Sequence, residues 1–249
     1  MTEAGVSGGL FDAHVHIHDP RFGMPVEAVL ARAAAAGVSG VLAASCGSAD
    51  WFRLIRSLPE RAVAGCQVRL AFGRHPLFDE GQERMDGRTR DDVRARAAAL
   101  GEIGLDRDGP LGMARQRVRF AEMLEMAVAF DLPVVVHNRA PWNSLLAEID
   151  RFPKVRGFVH AFGGSLEIAR ELQARGFLVS AGTVVLRGDA VRARAVFAAV
   201  PLGMLVVESD APDMAPPGRT FPNEPALLPL VVEALAGLRG GDPVAIGRA

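Results

Sequence analysis

Apolar positions along the chain follow two alternating rhythms. Short runs that are apolar on both faces read as buried strands. The first ends at Phe11-Asp12-Ala13-His14-Val15-His16. Others fall at Val41–Ser45, Gln67–Gly73, Gly101–Asp106, Leu132–His137, Val155–His160, Phe177–Ala181 and Met204–Glu208. Between them lie longer segments with apolar residues three and four apart, which predict helices. These segments are Pro25–Ala36, Ala49–Leu58, a helix capped by Thr89 and running to Leu100, Met113–Phe130, Pro141–Ile149, a helix capped by Ser165 and ending at Arg175-Gly176, Asp189–Val200, and Asn223–Leu238. Met113–Phe130 is the clearest, with Phe120, Leu124, Ala127 and Val128 on one face and Arg115, Arg119 and Glu122 on another. Asp242-Pro243-Val244 reads as the opening of a further helix, cut short at Ala249.

Doubly apolar strands alternating with amphipathic helices imply a parallel sheet covered on its outer face. Eight such units in 249 residues fit a single-domain α/β (β/α)8 TIM barrel spanning 1–249. The rival, a doubly wound open sheet, loses ground because no Gly-rich dinucleotide loop follows the first strand.

Composition narrows the partners. The net charge is -1, so there is no global pull toward nucleic acid, and a nucleic-acid ligand needs a local patch. Lys154 is the only lysine among 28 basic residues. Cys46 and Cys66 lack the spacing of a disulfide framework, and the start of the chain lacks a basic-then-apolar leader. With no apolar run of spanning length, these features predict a cytoplasmic protein.

The chemistry gathers at strand ends. Side chains two apart on a strand share a face, so His14 and His16 aim together while Val15 packs behind them. In a barrel of this kind the working groups sit at the C-terminal ends of the strands. His75 follows the third strand and Glu102 lies in the fourth. His137 ends the fifth, His160 ends the sixth, and Asp210 follows the eighth. Imidazoles with two carboxylates match two divalent metal ions (Mg, Mn or Zn) sharing a bridging carboxylate. Glu102 is the natural bridge. His14, His16 and Asp210 complete one site, and His137 and His160 the other. Asp210 can also take the proton of an activated water. Glu208 is read as a supporting carboxylate. Lys154 precedes the sixth strand and cannot serve as a carboxylated bridge.

These residues resemble the TatD-type metal-dependent deoxyribonucleases of the amidohydrolase superfamily. The likeness rests on Phe11-Asp12-Ala13-His14-Val15-His16, Gly73-Arg74-His75-Pro76, Gly101-Glu102-Ile103-Gly104-Leu105-Asp106, Pro133–Arg139, Val159–Ser165, Glu208-Ser209-Asp210-Ala211-Pro212 and Asn223-Glu224-Pro225, all in order. The resemblance implies a two-metal phosphodiesterase, often a 3′-5′ exonuclease on DNA. It carries the ligand roles onto His14, His16, Glu102, His137, His160 and Asp210, and a substrate-touching role onto His75, which makes Asp210, Glu102 and His75 the catalytic set.

The chain departs from the family pattern at His18, Arg107, Asp108, Ala140 and Asp213. Phosphate would be gripped by Arg74, Arg139 and Arg107, and bases stacked on Trp142, Phe22 or Phe162. The expected partner is single-stranded DNA or a small phosphoester, with no membrane and no obligate protein partner. The alternative is a small-molecule hydrolase opening an amide, lactone or phosphoester, favoured by the near-neutral charge. A non-enzymatic binding barrel is the third reading.

Overall fold

The computed structural model describes residues 9–47, 50–51, 54, 62–78, 87–219 and 222–248. Eight strands run β1 (Leu10–Val15), β2 (Val38–Ala44), β3 (Gln67–Ala71), β4 (Ala97–Asp106), β5 (Val134–Arg139), β6 (Gly157–Val159), β7 (Phe177–Ala181) and β8 (Leu205–Val207). They lie in sequence order, each parallel to the next. The ring is drawn together at the seam between β8 and β1. There Val15 bridges Ala211, the His16 N–H donates to the Ala211 carbonyl at 2.8 Å, and the Asp210 N–H donates to the His14 carbonyl at 3.0 Å. This is the expected (β/α)8 barrel.

The covering helices are α1 (Val26–Ala35), α2 (Gly87–Arg96), α3 (Met113–Phe130), α4 (Trp142–Asp150), α5 (Leu166–Gln173), α6 (Val191–Ala199), α7 (Leu228–Arg239) and α8 (Pro243–Arg248). Their ends follow ordinary capping rules. The Ser165 hydroxyl accepts the Ile168 N–H at the start of α5, and Gly240 closes α7 in the left-handed region at φ 62°. α3 turns Phe120, Met123, Leu124 and Ala127 into the core, as its pattern predicted.

Several boundaries differ from the sequence reading. The helix expected to run to Leu100 stops at Arg96, and Ala97–Leu100 open β4. Pairing of Ala97 with Leu70, Ala99 with Ala71 and Leu100 with Val134 overrides the helical preference of an alanine run. α2 starts at Gly87, and the side chain of the expected cap Thr89 lies outside the described residues. Of the expected helix Ala49–Leu58, Asp50, Trp51 and Leu54 are helical and the remainder lies outside the described residues. The last long helix opens with a 3-10 turn over Pro225–Leu227. The helix foreseen at Asp242-Pro243 forms as α8: the Asp242 carboxylate accepts the Val244 N–H at 3.1 Å, and Ile246 packs on the core.

The main core lies between sheet and helices, and a smaller cluster of Leu42, Ala44, Ala71, Ala99 and Val135 fills the barrel interior on the alternate face. Two strands change phase just before their functional residues. Between the pairs Asp12–Val41 and Val15–Ala43, β1 advances three residues against two. Between Leu100–Val134 and Ile103–Val136, β4 does the same. One extra residue is a β-bulge, and it reverses which face the following side chains occupy. Small residues permit the second bulge: a Cβ on Gly73 would lie 2.1 Å from the Glu102 nitrogen, and one on Gly101 would lie 2.5 Å from the Val135 Cβ. No helix among the described residues is long and apolar enough to cross a membrane.

Candidate active site

His14 sits in β1, His16 just beyond it, Glu102 in β4, His137 in β5, His160 just after β6 and Asp210 in the loop after β8. The structure brings all six together at the C-terminal mouth, and His75 joins them from the β3 loop. Glu102 is the centre. Its Oε2 lies 3.2 Å from His14 Nε2 and 3.5 Å from His16 Nε2. Its Oε1 lies 2.7 Å from His160 Nε2, 2.9 Å from His75 Nε2 and 3.0 Å from His137 Nδ1. Asp210 Oδ1 completes the first group, 3.5 Å from His14 Nε2. Asp210 holds φ 55°, and Ala161, just after His160, holds φ 44°. Backbone strain of this kind on non-glycine residues accumulates at functional sites.

The far sides of two rings set their tautomers. His16 Nδ1 faces the Ala44 carbonyl at 3.1 Å, and His137 Nε2 faces the Asp106 carboxylate at 2.8 Å. In the neutral ring each of these nitrogens donates its proton outward, which leaves His16 Nε2 and His137 Nδ1 as the ligand atoms that face Glu102. Ring nitrogens also oppose each other, His14 Nε2 to His16 Nε2 at 3.3 Å and His137 Nδ1 to His160 Nε2 at 3.1 Å. Lone pairs facing carboxylate oxygens repel unless a cation or a proton lies between them. The donor set therefore fits divalent cations, and three overlapping groups of potential ligands occur among the described residues.

The electrostatics of the bare cluster express the same crowding. Burial would raise the Glu102 carboxyl, but the His160 and His75 imidazoles and the hydrogen bonds of His137 and His14 hold it well below the usual range. Burial, helped by the charge of His160, drives His14 down to about 3. His160 goes the opposite way, to about 10: burial opposes its charge, yet Glu102, Glu208 and Asp210 surround it. Burial raises the Asp210 carboxyl despite nearby His160 and His16. A bound cation would dominate all of these balances.

A cavity of ≈ 1260 Å³ opens above the cluster. Arg139 and Arg107 line it, and Arg139 is paired with Asp108 at 3.2 Å. Arg74 does not line it, which corrects its expected phosphate grip. It precedes His75 directly, so its side chain takes the opposite side and forms a buried pair with Glu122 of α3 at 3.2 Å. Of the aromatic candidates, Trp142 lines the cavity, while Phe22 and Phe162 are buried in the core.

Several contributors escaped the sequence reading. Asp106 orients His137, and Asp12 accepts the Ser209 hydroxyl at 2.6 Å and the Ser209 N–H at 2.9 Å, tying β1 to the Asp210 loop. Arg21 bridges Asp19 and Asp213 across the mouth. Cys46 Sγ lies 3.8 Å from His16 Nδ1. The available signals were the Asp two residues before His14 and the acidic end of the Gly-Leu-Asp segment.

A (β/α)8 barrel with this cluster of imidazoles and carboxylates at its mouth defines a metal-dependent hydrolase. A family model described as TatD related DNase matches residues 11–249, and the chain belongs to that family. It is 32% identical to the uncharacterized metal-dependent hydrolase YjjV of Escherichia coli K12, over 92% of this chain and 89% of that protein. It is 31% identical to the 3′-5′ ssDNA/RNA exonuclease TatD of Cronobacter sakazakii, over 94% and 92%. The crystal structure of the E. coli YjjV protein superposes with a TM-score of 0.80 at 30% identity, covering 96% of this chain and 93% of that one.

Proposed function

We propose that the protein is a two-metal phosphodiesterase that trims single-stranded nucleic acid from its 3′ end. The observation that carries this reading is the division of Glu102: one oxygen faces His14 and His16, which Asp210 also approaches, and the other faces His137 and His160. Relatives named as 3′-5′ ssDNA/RNA exonucleases support the substrate class. The cavity volume exceeds the usual span for small-molecule pockets and suits a polymer end.

In this reading Glu102 would be shared by two divalent cations, with His14, His16 and Asp210 as the residues that would hold one and His137 and His160 the other. When bound, the pair of cations acidifies water and neutralises charge on the attacking and leaving oxygens. The Asp210 carboxylate takes the proton of the attacking water as its oxygen bonds to phosphorus. The bond from phosphorus to the 3′ oxygen breaks, and that oxygen is reprotonated from solvent, releasing a 5′-nucleotide. His75 Nδ1 accepts the Leu77 N–H at 3.1 Å, so its neutral ring carries the proton on Nε2, aimed at the centre. That N–H donates to a non-bridging phosphoryl oxygen. Arg139 would reach the next phosphate along.

A second reading has one observation in its favour. The arginines Arg21 and Arg139 at the mouth already face carboxylates, so the rim is not a bare basic groove. A small phosphoester or amide would need no such groove.

The test is metal content followed by hydrolysis of a 5′-labelled single strand with added Mg2+, Mn2+ or Zn2+, with Glu102→Ala as control. Stepwise 3′ shortening by the unsubstituted protein alone supports the proposal. Two bound ions with no cleavage of any oligonucleotide, but turnover of a small phosphoester, would favour the second reading.

A further inference from the structure

Phe78 has no role in the scheme above, yet it stands beside the centre with half its surface in water. At 51% exposure it is among the most exposed large apolar side chains of the described residues, and it lines the active-site cavity. Leu77 and Met214, also exposed, line the same cavity. An apolar surface beside a charged centre is a place where something apolar and flat can bind.

The position is built. His75-Pro76-Leu77-Phe78 is a tight turn closed by the Phe78 N–H donating to the His75 carbonyl at 3.1 Å, with proline where such turns prefer it. The Phe78 carbonyl is anchored in turn by Arg119 of α3 at 3.2 Å. One rigid turn therefore presents two side chains: His75 inward, 2.9 Å from Glu102, and Phe78 outward, its ring centroid 5.6 Å from that of His75. The Phe78 ring therefore stands within one nucleotide's reach of a phosphoryl group placed on His75.

We propose that Phe78 is the base platform of this site: the nucleobase of the terminal 3′ nucleotide stacks on its ring while the scissile phosphate meets His75. The inference rests on the phosphodiesterase reading and narrows it. A base held in a duplex stack cannot also lie on Phe78, so recognition at this turn selects unpaired ends. It also predicts that a nucleotide without a base is a poor substrate. Stacking pre-organised by an anchored turn is sequence-tolerant, because every base offers a flat face.

The experiment compares two 5′-labelled single strands, one ending in an ordinary 3′ nucleotide and one ending in an abasic analogue. The unsubstituted enzyme should favour the ordinary strand in kcat/KM by about ten-fold, the scale of one base stacked on an aromatic ring. In Phe78→Ala that ratio should fall toward one, and in Phe78→Trp it should persist, which excludes a folding defect as the cause. A ratio unchanged in Phe78→Ala, or equal rates on both strands for the unsubstituted enzyme, overturns the platform. If neither strand is cut, the nuclease reading fails by itself. The platform is then read from a strand ending in 2-aminopurine, whose fluorescence should be quenched on binding to the unsubstituted protein but not to Phe78→Ala. Equal quenching by both overturns it.

Discussion

In the half of the cluster built by His14, His16 and Asp210, the imidazoles rest on neutral or absent partners. His16 leans on the Ala44 carbonyl, and His14 Nδ1 is buried without a hydrogen bond. In the half built by His137 and His160, carboxylates stand behind the rings. Asp106 accepts a hydrogen bond from His137 Nε2 at 2.8 Å, while Glu208 lies 3.9 Å from His160 Nδ1, which like His14 Nδ1 makes no hydrogen bond. A carboxylate behind an imidazole raises its basicity and fixes its orientation. The difference teaches that, on the proposed two-cation reading, one cluster of similar ligands would offer two unequal sites. On that reading the His137 half, oriented by Asp106, would be the firmer, and the His14 half, which contains Asp210, would be the more exchangeable and the one that handles protons.

Four substitutions break or sharpen that contrast. The largest effect comes from Glu102→Ala, which removes the one ligand both halves share. Metal content should collapse at both sites, and hydrolysis should fall roughly a thousand-fold, measured by elemental analysis and single-turnover cleavage. Retention of a full metal complement would dissolve the idea of a shared bridge. Asp210→Asn should cut the rate by about a hundred- to ten-thousand-fold, the range for losing a positioned base, while the His137 half keeps its ion. Loss of both ions in Asp210→Asn would show the halves to be interdependent.

Asp106→Asn sharpens the contrast directly. Affinity at the His137 half should fall about ten- to a hundred-fold, bringing two separate steps of a calorimetric metal titration closer together. Equal weakening of both steps would erase the asymmetry.

The smallest effect concerns Asp12, which supports the His14 half from behind. Burial raises its carboxyl to about 7 against the hydrogen bonds from Ser209 and His14. From its ordinary value near 3.8 up to about 7 the folded chain keeps a proton that the unfolded chain has lost. Stability contributed by Asp12 is therefore whole at low pH and declines as pH rises through that window. Asp12→Asn should flatten this slope in chelator, by up to about 4 kcal/mol in unfolding free energy between pH 4 and 8. An identical slope in both proteins would mean that Asp12 ionises freely in the fold.

The contrast between the halves also marks how far the sequence could be read. The two-residue spacing of His14 and His16, and the placement of His137 and His160 at the ends of apolar runs, made the cluster visible, because strand ends of a barrel converge on one rim. Asp106 was visible only as the last letter of a motif, since its partner His137 lies on the neighbouring strand, 31 positions away. Arg74 was misread for want of one parity assignment, and Phe78 passed unnoticed because an aromatic after a turn has no periodic context. The alanine run before Leu100 was assigned to a helix because local preference favours one, whereas strand pairing on both sides settles it.

By itself the chain determined the alternation of strand and helix, hence the barrel, and the ligand types available at its mouth. Only the tertiary structure decided which of those groups face inward. The bulges in β1 and β4 each insert one residue, and one residue is half the period of a strand. Without the β4 bulge, Glu102 would share the face of Leu100 and point into the helix layer. Glycines at 73 and 101 let backbones approach closely enough for the phase change. Inter-strand register is a property of two segments packed together, so neither segment encodes it alone.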